Sequence, residues 1–194
     1  MAYTPGALVV GIDPGLANCG VVVLRRDGQR WKLVASKHIV TSPREQHEAR
    51  LAKIWSYIED AIGTGATLVA CEDQEGVQEG KRRTGETRAA ALYCRDVQNM
   101  ARGGAWAAKA AFMLVSPEDA KSAVTGSRMA TKTQVQRAIT VCLGLELSEH
   151  ESDAAAVAIA AARAQASGLP TGGKGISGTH RVPQGSPNGR TAQR

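Results

Sequence analysis

Four side chains able to bind metal or move protons stand where the surrounding pattern demands an explanation. Asp13 closes the apolar run Leu8-Val9-Val10-Gly11-Ile12 and is followed at once by Pro14-Gly15. Glu72 closes a second apolar run in ATLVACED, residues 66–73. His150 and Asp153 lie three apart in EHESDAAAVAIAA, so they project from nearly the same face of a helix. Carboxylates gathered in one place repel one another and raise each other's pKa, and a divalent cation is the usual resolution. Oxygen-rich ligand sets favour Mg²⁺ or Mn²⁺. Two such ions about 4 Å apart can activate water on one side of a phosphodiester and stabilise the leaving oxygen on the other.

Taken singly, each residue also has a plain structural explanation. Asp-Pro-Gly favours a turn, with Pro14 fixing φ and Gly15 tolerating positive φ. Glu72 could be a strand-end charge reaching solvent. Asp153 could complement a helix dipole, and His150 could be an exposed helix-start residue. The case for chemistry therefore rests on the four acting as a set.

The elements that must position them follow from periodicity. Residues 7–13 read as a buried strand, with further strands at 18–25 and 30–40 joined through Asp27-Gly28. A helix is expected from about Arg44 to Ile62, with Leu51, Ile54, Trp55, Ile58 and Ile62 at helical spacing and Gly63 and Gly65 ending it. A fourth strand covers 66–73, a helix runs from about Thr87 to Ala101, and a fifth strand covers 110–117. Ser116-Pro117-Glu118 opens a short helix that Gly126 closes, and Thr131 caps another reaching about Leu143. The last helix begins at a Ser148/Glu151 capping box and extends to about Ala166. Asp153 shares its face with Val157, Ala160, Ala161 and Ala164, which aims it at the protein rather than at water. The order β-β-β-α-β-α-β-α-α-α implies a mixed α/β sheet flanked by helices. If the strands ending at Asp13 and Glu72 are adjacent and parallel, both carboxylates emerge at one sheet edge, where α/β sheets place ligands.

The 194 residues suggest one compact domain at 1–167 followed by a tail at 168–194. The tail has seven glycines, three prolines and few apolar groups, a composition expected to stay disordered. It carries Lys174, Arg181, Arg190 and Arg194 and no acid, so +4 of the net charge of +6 lies there. A basic surplus suggests a polyanionic partner. The apolar stretches are too short to span a membrane, and the N-terminus does not read as a signal peptide. Cys19, Cys71, Cys94 and Cys142 are widely spaced with no CxxC pair, which fits reduced thiols in a cytoplasmic protein.

Four segments together resemble the RuvC family of Holliday-junction resolvases, within the ribonuclease H-like superfamily. GIDPGLANCGVVVL is similar to the family's first motif, with Asp13 in a metal-ligand position, and LVACEDQ to the second, with Glu72 as ligand. KSAVTGSRMATKTQVQRAI resembles the segment that carries two lysines, here Lys121 and Lys132. HESDAAAVAIAAA resembles the final acidic motif, with His150 and Asp153 in ligand positions. The resemblance spans about residues 8–163. It implies a ribonuclease H-like five-stranded sheet and a homodimer that nicks two strands of a four-way DNA junction with Mg²⁺ or Mn²⁺, two ions per site. It also implies that Lys132 acts near the scissile phosphate and that Lys121 binds backbone phosphate. One position departs. Three residues after the second acidic ligand, where relatives usually carry an aromatic that stacks in the junction, this chain has Glu75. The neighbouring EGVQEGKRRTGET offers Lys81, Arg82 and Arg83, with Arg88 just beyond, as DNA-binding cations instead.

Three other readings are open to a chain of this pattern. An actin-like ATPase or sugar kinase also opens with a strand, an acid and a Gly-rich turn, but needs a second such domain that this length does not provide. A non-catalytic DNA-binding module is disfavoured by the acid set, which repels phosphate unless a cation is bound. Other ribonuclease H-like nucleases are the nearest alternatives, and the two lysines with the HxxD helix favour the resolvase.

Overall fold

The structure is a computed structural model that describes residues 6–73 and 85–168, the side chains of 85–90 excepted. Five strands form one mixed sheet in the order β3-β2-β1-β4-β5. They are β1 (Leu8–Asp13), β2 (Asn18–Asp27), β3 (Arg30–Val40), β4 (Leu68–Glu72) and β5 (Ala111–Val115). The three β strands at the N-terminus form an antiparallel meander, with a two-residue turn at Gly28, whose φ of 60° suits glycine. β4 joins β1 in parallel and β5 joins β4 in parallel. The expected ten-element order is the observed one.

Helices cover both faces. On one face α1 (His47–Gly63) and α2 (Gly85–Ala107) pack on Val10, Ile12, Val21, Val23, Val69 and Cys71. On the other face α3 (Pro117–Thr125), α4 (Lys132–Leu143) and α5 (Glu149–Ser167) pack on Val9, Val22, Leu24, Leu68 and Ala70. The alternation of these two sets along each strand is the period-2 pleat.

The helix ends follow the side-chain chemistry expected of them. Ser116 accepts from the Asp119 N–H at the start of α3, and Thr131 and Ser148 each form reciprocal capping boxes, with Gln134 and Glu151. Two helix boundaries differ most from expectation. α1 begins at His47 rather than Arg44, because residues 42–45 close a turn in which the Glu45 N–H donates to Ser42 O. α2 continues past Ala101 to Ala107, straight through Gly103 and Gly104. Gly104 is a contact point there: a Cβ at that position would sit 2.7 Å from Trp55 and 2.9 Å from Ile62 of α1. Glycine there lets two helices approach, and α2 absorbs its helix-propensity cost.

α5 lies deepest in the molecule. From Ala154 to Ala162 every residue is buried, on all sides of the helix. Its alanines allow backbone to approach backbone, and the sheet answers with glycine. A Cβ on Gly11 would stand 2.1 Å from Ala154 O, and one on Gly20 would stand 2.0 Å from His150 O.

Candidate active site

The pleat decides where each acid points. On β1, Val9 and Gly11 face α5, so Asp13, two residues further, faces α5 as well. On β4, Leu68 and Ala70 face α5, which puts Glu72 on the same side. The two strands are parallel neighbours, with Ile12 opposite Cys71, so both carboxylates leave the sheet at one edge. α5 crosses that edge with its first turn, bringing His150 and Asp153 to the same place. Lys121 on α3 and Lys132, the first residue of α4, complete the lining. Six side chains from five elements thus line one cleft of about 350 Å³.

Within the cleft, His150 Nδ1 and Asp13 Oδ2 are 2.8 Å apart. This hydrogen bond raises the imidazole above its ordinary pKa. Asp13 is nearly buried, at 8% exposure. Asp153 is half-buried, and its carboxyl is pushed up to about 6, first by burial and then by the charge of Asp13. Lys132 forms an ion pair with Glu149, which holds the ammonium above and the carboxyl below their usual values. Gln98 on α2 donates to the backbone carbonyl of Glu72 at 2.8 Å, tying the end of β4 to the helix beneath it.

Among the described residues, no three His, Cys, Asp or Glu side chains surround a common point. The chemistry of the set nevertheless fits a divalent cation: three carboxylates and an imidazole share one cleft, and one carboxyl is held up by desolvation and by a neighbouring negative charge. A cation relieves both.

Residues 9–162 match the family described as crossover junction endodeoxyribonuclease RuvC. The chain belongs to the RuvC family. The Treponema denticola crossover junction endodeoxyribonuclease RuvC is 31% identical over 138 residues, covering 71% of this chain and 74% of the relative. The Petrotoga mobilis enzyme of the same description is 28% identical over 147 residues, covering 72% and 81%. Thermus thermophilus RuvC in complex with Holliday junction substrate superposes with a TM-score of 0.73 at 25% identity, over 85% of this chain and 98% of that one. The yeast mitochondrial Holliday junction resolvase shares the fold, with a TM-score of 0.58 at 14% identity over 85% and 81% of the two chains. The RuvC match covers every element from β1 through most of α5, and so all six cleft residues.

Asp13, Glu72, Lys121, Lys132, His150 and Asp153 therefore meet as this RuvC-family sequence suggested. Glu75, Lys81, Arg82 and Arg83 lie outside the described residues, as do the side chain of Arg88 on α2 and the tail beyond Gly168. Three cleft neighbours escaped the sequence reading. Asn18 lines the cleft, and its phase with Gly20 on β2 was the available signal. Glu149 meets Lys132, and His38 meets Asn18 and His150, through tertiary contacts that no local pattern encodes.

Proposed function

We propose that this protein is a metal-dependent endonuclease that nicks four-way DNA junctions by phosphodiester hydrolysis. The observation that carries the reading is the convergence of Asp13, Glu72, His150, Asp153, Lys121 and Lys132 on one cleft at the sheet edge. Asp13, Glu72, His150 and Asp153 would hold Mg²⁺ or Mn²⁺, two ions per site. When bound, such cations lower the pKa of water and neutralise charge on the phosphate.

The protein's own groups supply the rest. Asp13, on the central strand and pinned by His150, is the shared anchor of the donor set. Glu72 and Asp153 flank it from β4 and α5. Lys132 stands at the mouth of the cleft with its ammonium kept protonated by Glu149, and it stabilises negative charge developing on the phosphoryl oxygens. Lys121 binds backbone phosphate. Residues 1–167 form the nuclease domain, and the basic 168–194 segment adds contacts to DNA. The active species is a homodimer, since symmetric nicking of a junction takes two sites. Among the described residues no helix is long and apolar enough to cross a membrane, and the reading places the protein in the cytoplasm with its DNA.

Asp13→Asn tests the reading. The swap is nearly isosteric and removes the charge that holds a cation. It should leave the circular dichroism spectrum and junction binding intact and abolish nicking of a synthetic four-way junction in Mg²⁺. Nicking by the variant at the wild-type rate, or wild-type cleavage of duplex in preference to junction, refutes the assignment.

A further inference from the structure

The chemistry described so far gives His38 no task, yet it touches the site at two points. It lies on β3 directly opposite Gly20 of β2, and residues so paired share one face of the sheet. Gly20 has no side chain, so His38 can lean across it toward α5. Its Nε2 is 3.0 Å from Asn18 Oδ1. Its ring centroid is 4.9 Å from that of His150, with the planes tilted by 37°, inside the roughly 4.5–7 Å range of aromatic pairs. The His150 imidazole is therefore held at two places, by Asp13 Oδ2 on Nδ1 and by the His38 ring.

Each contact constrains the next. Packing against the His150 ring holds the rotamer of His38, and the hydrogen bond to Asn18 reinforces it. The fixed ring then walls one side of His150. Without that wall the imidazole is free to turn about its own side-chain bonds away from Asp13, and the donor set loses its fixed spacing. We propose that His38 is a positioning residue of the active site, its ring acting through the His150 ring. The proposal rests on the reading of His150 as part of the cation-holding set. Groups that orient a metal ligand typically change affinity or activity about 10–100-fold when removed.

The test uses the full chain as wild type, His38→Ala and His38→Phe, the last keeping a ring without the hydrogen bond. One readout is the ¹⁵N resonances of the His150 ring without metal, which report its placement whatever the protein's activity. The others are Mn²⁺ affinity by calorimetry in the absence of DNA, and kcat and KM for junction nicking. His38→Ala should shift the His150 resonances, weaken Mn²⁺ binding about tenfold and lower kcat by a similar factor, with KM nearly unchanged. His38→Phe should recover most of the Mn²⁺ affinity. Should His38→Ala fail to fold, His38→Phe decides alone: near-wild-type Mn²⁺ affinity and kcat support the ring-wall role, and an alanine-sized loss overturns it. Unchanged His150 resonances in His38→Ala overturn the proposal, as do shifted resonances with wild-type Mn²⁺ affinity and kcat. If wild type neither binds Mn²⁺ nor nicks junctions while the resonances still shift, the functional reading fails and the His38–His150 contact stands.

Discussion

Gly20→Ala asks whether the site is held in place by backbone contact between α5 and the sheet. The added Cβ would lie 2.0 Å from His150 O and 3.1 Å from Glu151 N, whereas real Cβ contacts essentially never fall under 3.0 Å. The obstructing atoms are backbone, so no rotamer change relieves the clash, and the start of α5 must retreat by about 1 Å. Overpacking of this kind costs about 1–3 kcal/mol. The rigid atoms on both sides place Gly20→Ala in the upper half of that range. For a chain of this size, each kcal/mol lowers Tm by about 2–4 °C. The retreat carries His150 and Asp153 away from Asp13 and Glu72. A misplacement of about 1 Å at a reacting centre can cost about 10²-fold in rate. The expected variant is therefore folded, several degrees less stable, and about a hundredfold slower at nicking junctions. Gly103→Ala is the matched control: a Cβ there meets nothing within 4 Å in the interior of α2, and alanine should stabilise by about 0.8–1.0 kcal/mol. A Gly20→Ala protein with wild-type Tm and wild-type nicking would show that α5 does not rest on β2 as described.

Replacing Mg²⁺ with Ca²⁺ should preserve junction binding in a gel-shift assay and suppress nicking, because looser coordination places the attacking water poorly; efficient cutting in EDTA would defeat the metal scheme outright. Removing residues 169–194 should leave the circular dichroism spectrum and nicking unchanged and flatten the salt dependence of duplex binding, by up to about 3–4 units of log K per log salt if all four tail cations contact phosphate; an unchanged slope refutes tail contact. Burial pushes the Cys19 thiol up to about 12 and Cys94 to about 11, and holds Cys71 well above the usual thiol range, while Cys142 is exposed. A thiol reagent near neutral pH should therefore modify Cys142 first in the native protein and reach Cys19 and Cys71 only on unfolding. Mass spectrometry of the labelled peptides reads the order, and early labelling of Cys71 would contradict the fold.

Much of the site could be read along the chain because it is coded by period. Asp13 and Glu72 each extend a strand pattern by one step, and a pleat of period two leaves only one face for them once the neighbours' burial is known. His150 and Asp153 are coded by the helical period. The capping boxes of α4 and α5 are coded within four residues, and the ends they fix are the ends observed. What stayed hidden depends on register and distance. That His38 stands opposite Gly20 is a property of the β2–β3 pairing, which includes an irregularity between Val23 and Leu24 that strand patterning does not reveal. That Gly104 marks a helix crossing rather than a helix end depends on Trp55, about fifty residues away in sequence. Glu149 reads as one more acid at a helix start until α4 brings Lys132 beside it.

The two faces of the sheet are filled on different principles, and the difference places the chemistry. Toward α1 and α2 the strands present Val10, Ile12, Val21, Val23 and Val69, and α1 meets them with the large side chains of Ile54 and Ile58. Toward α5 the residues shrink as the acid edge nears. β1 reads Val9 then Gly11, β2 reads Leu24, Val22 then Gly20, and β4 reads Leu68 then Ala70. Three strands tapering in the same direction leave a wedge of space that deepens toward Asp13 and Glu72, and the alanine-rich α5 fills it with its N-terminal turn lowest on the sheet. A helix bearing large residues could not descend so far, and its His150 could not reach Asp13. Small residues contribute little burial each, so α5 is held by closeness of approach more than by apolar mass. The contacts that stabilise this helix are for that reason the same contacts that set the spacing of the acids, and a substitution that lifts α5 should lower stability and nicking together.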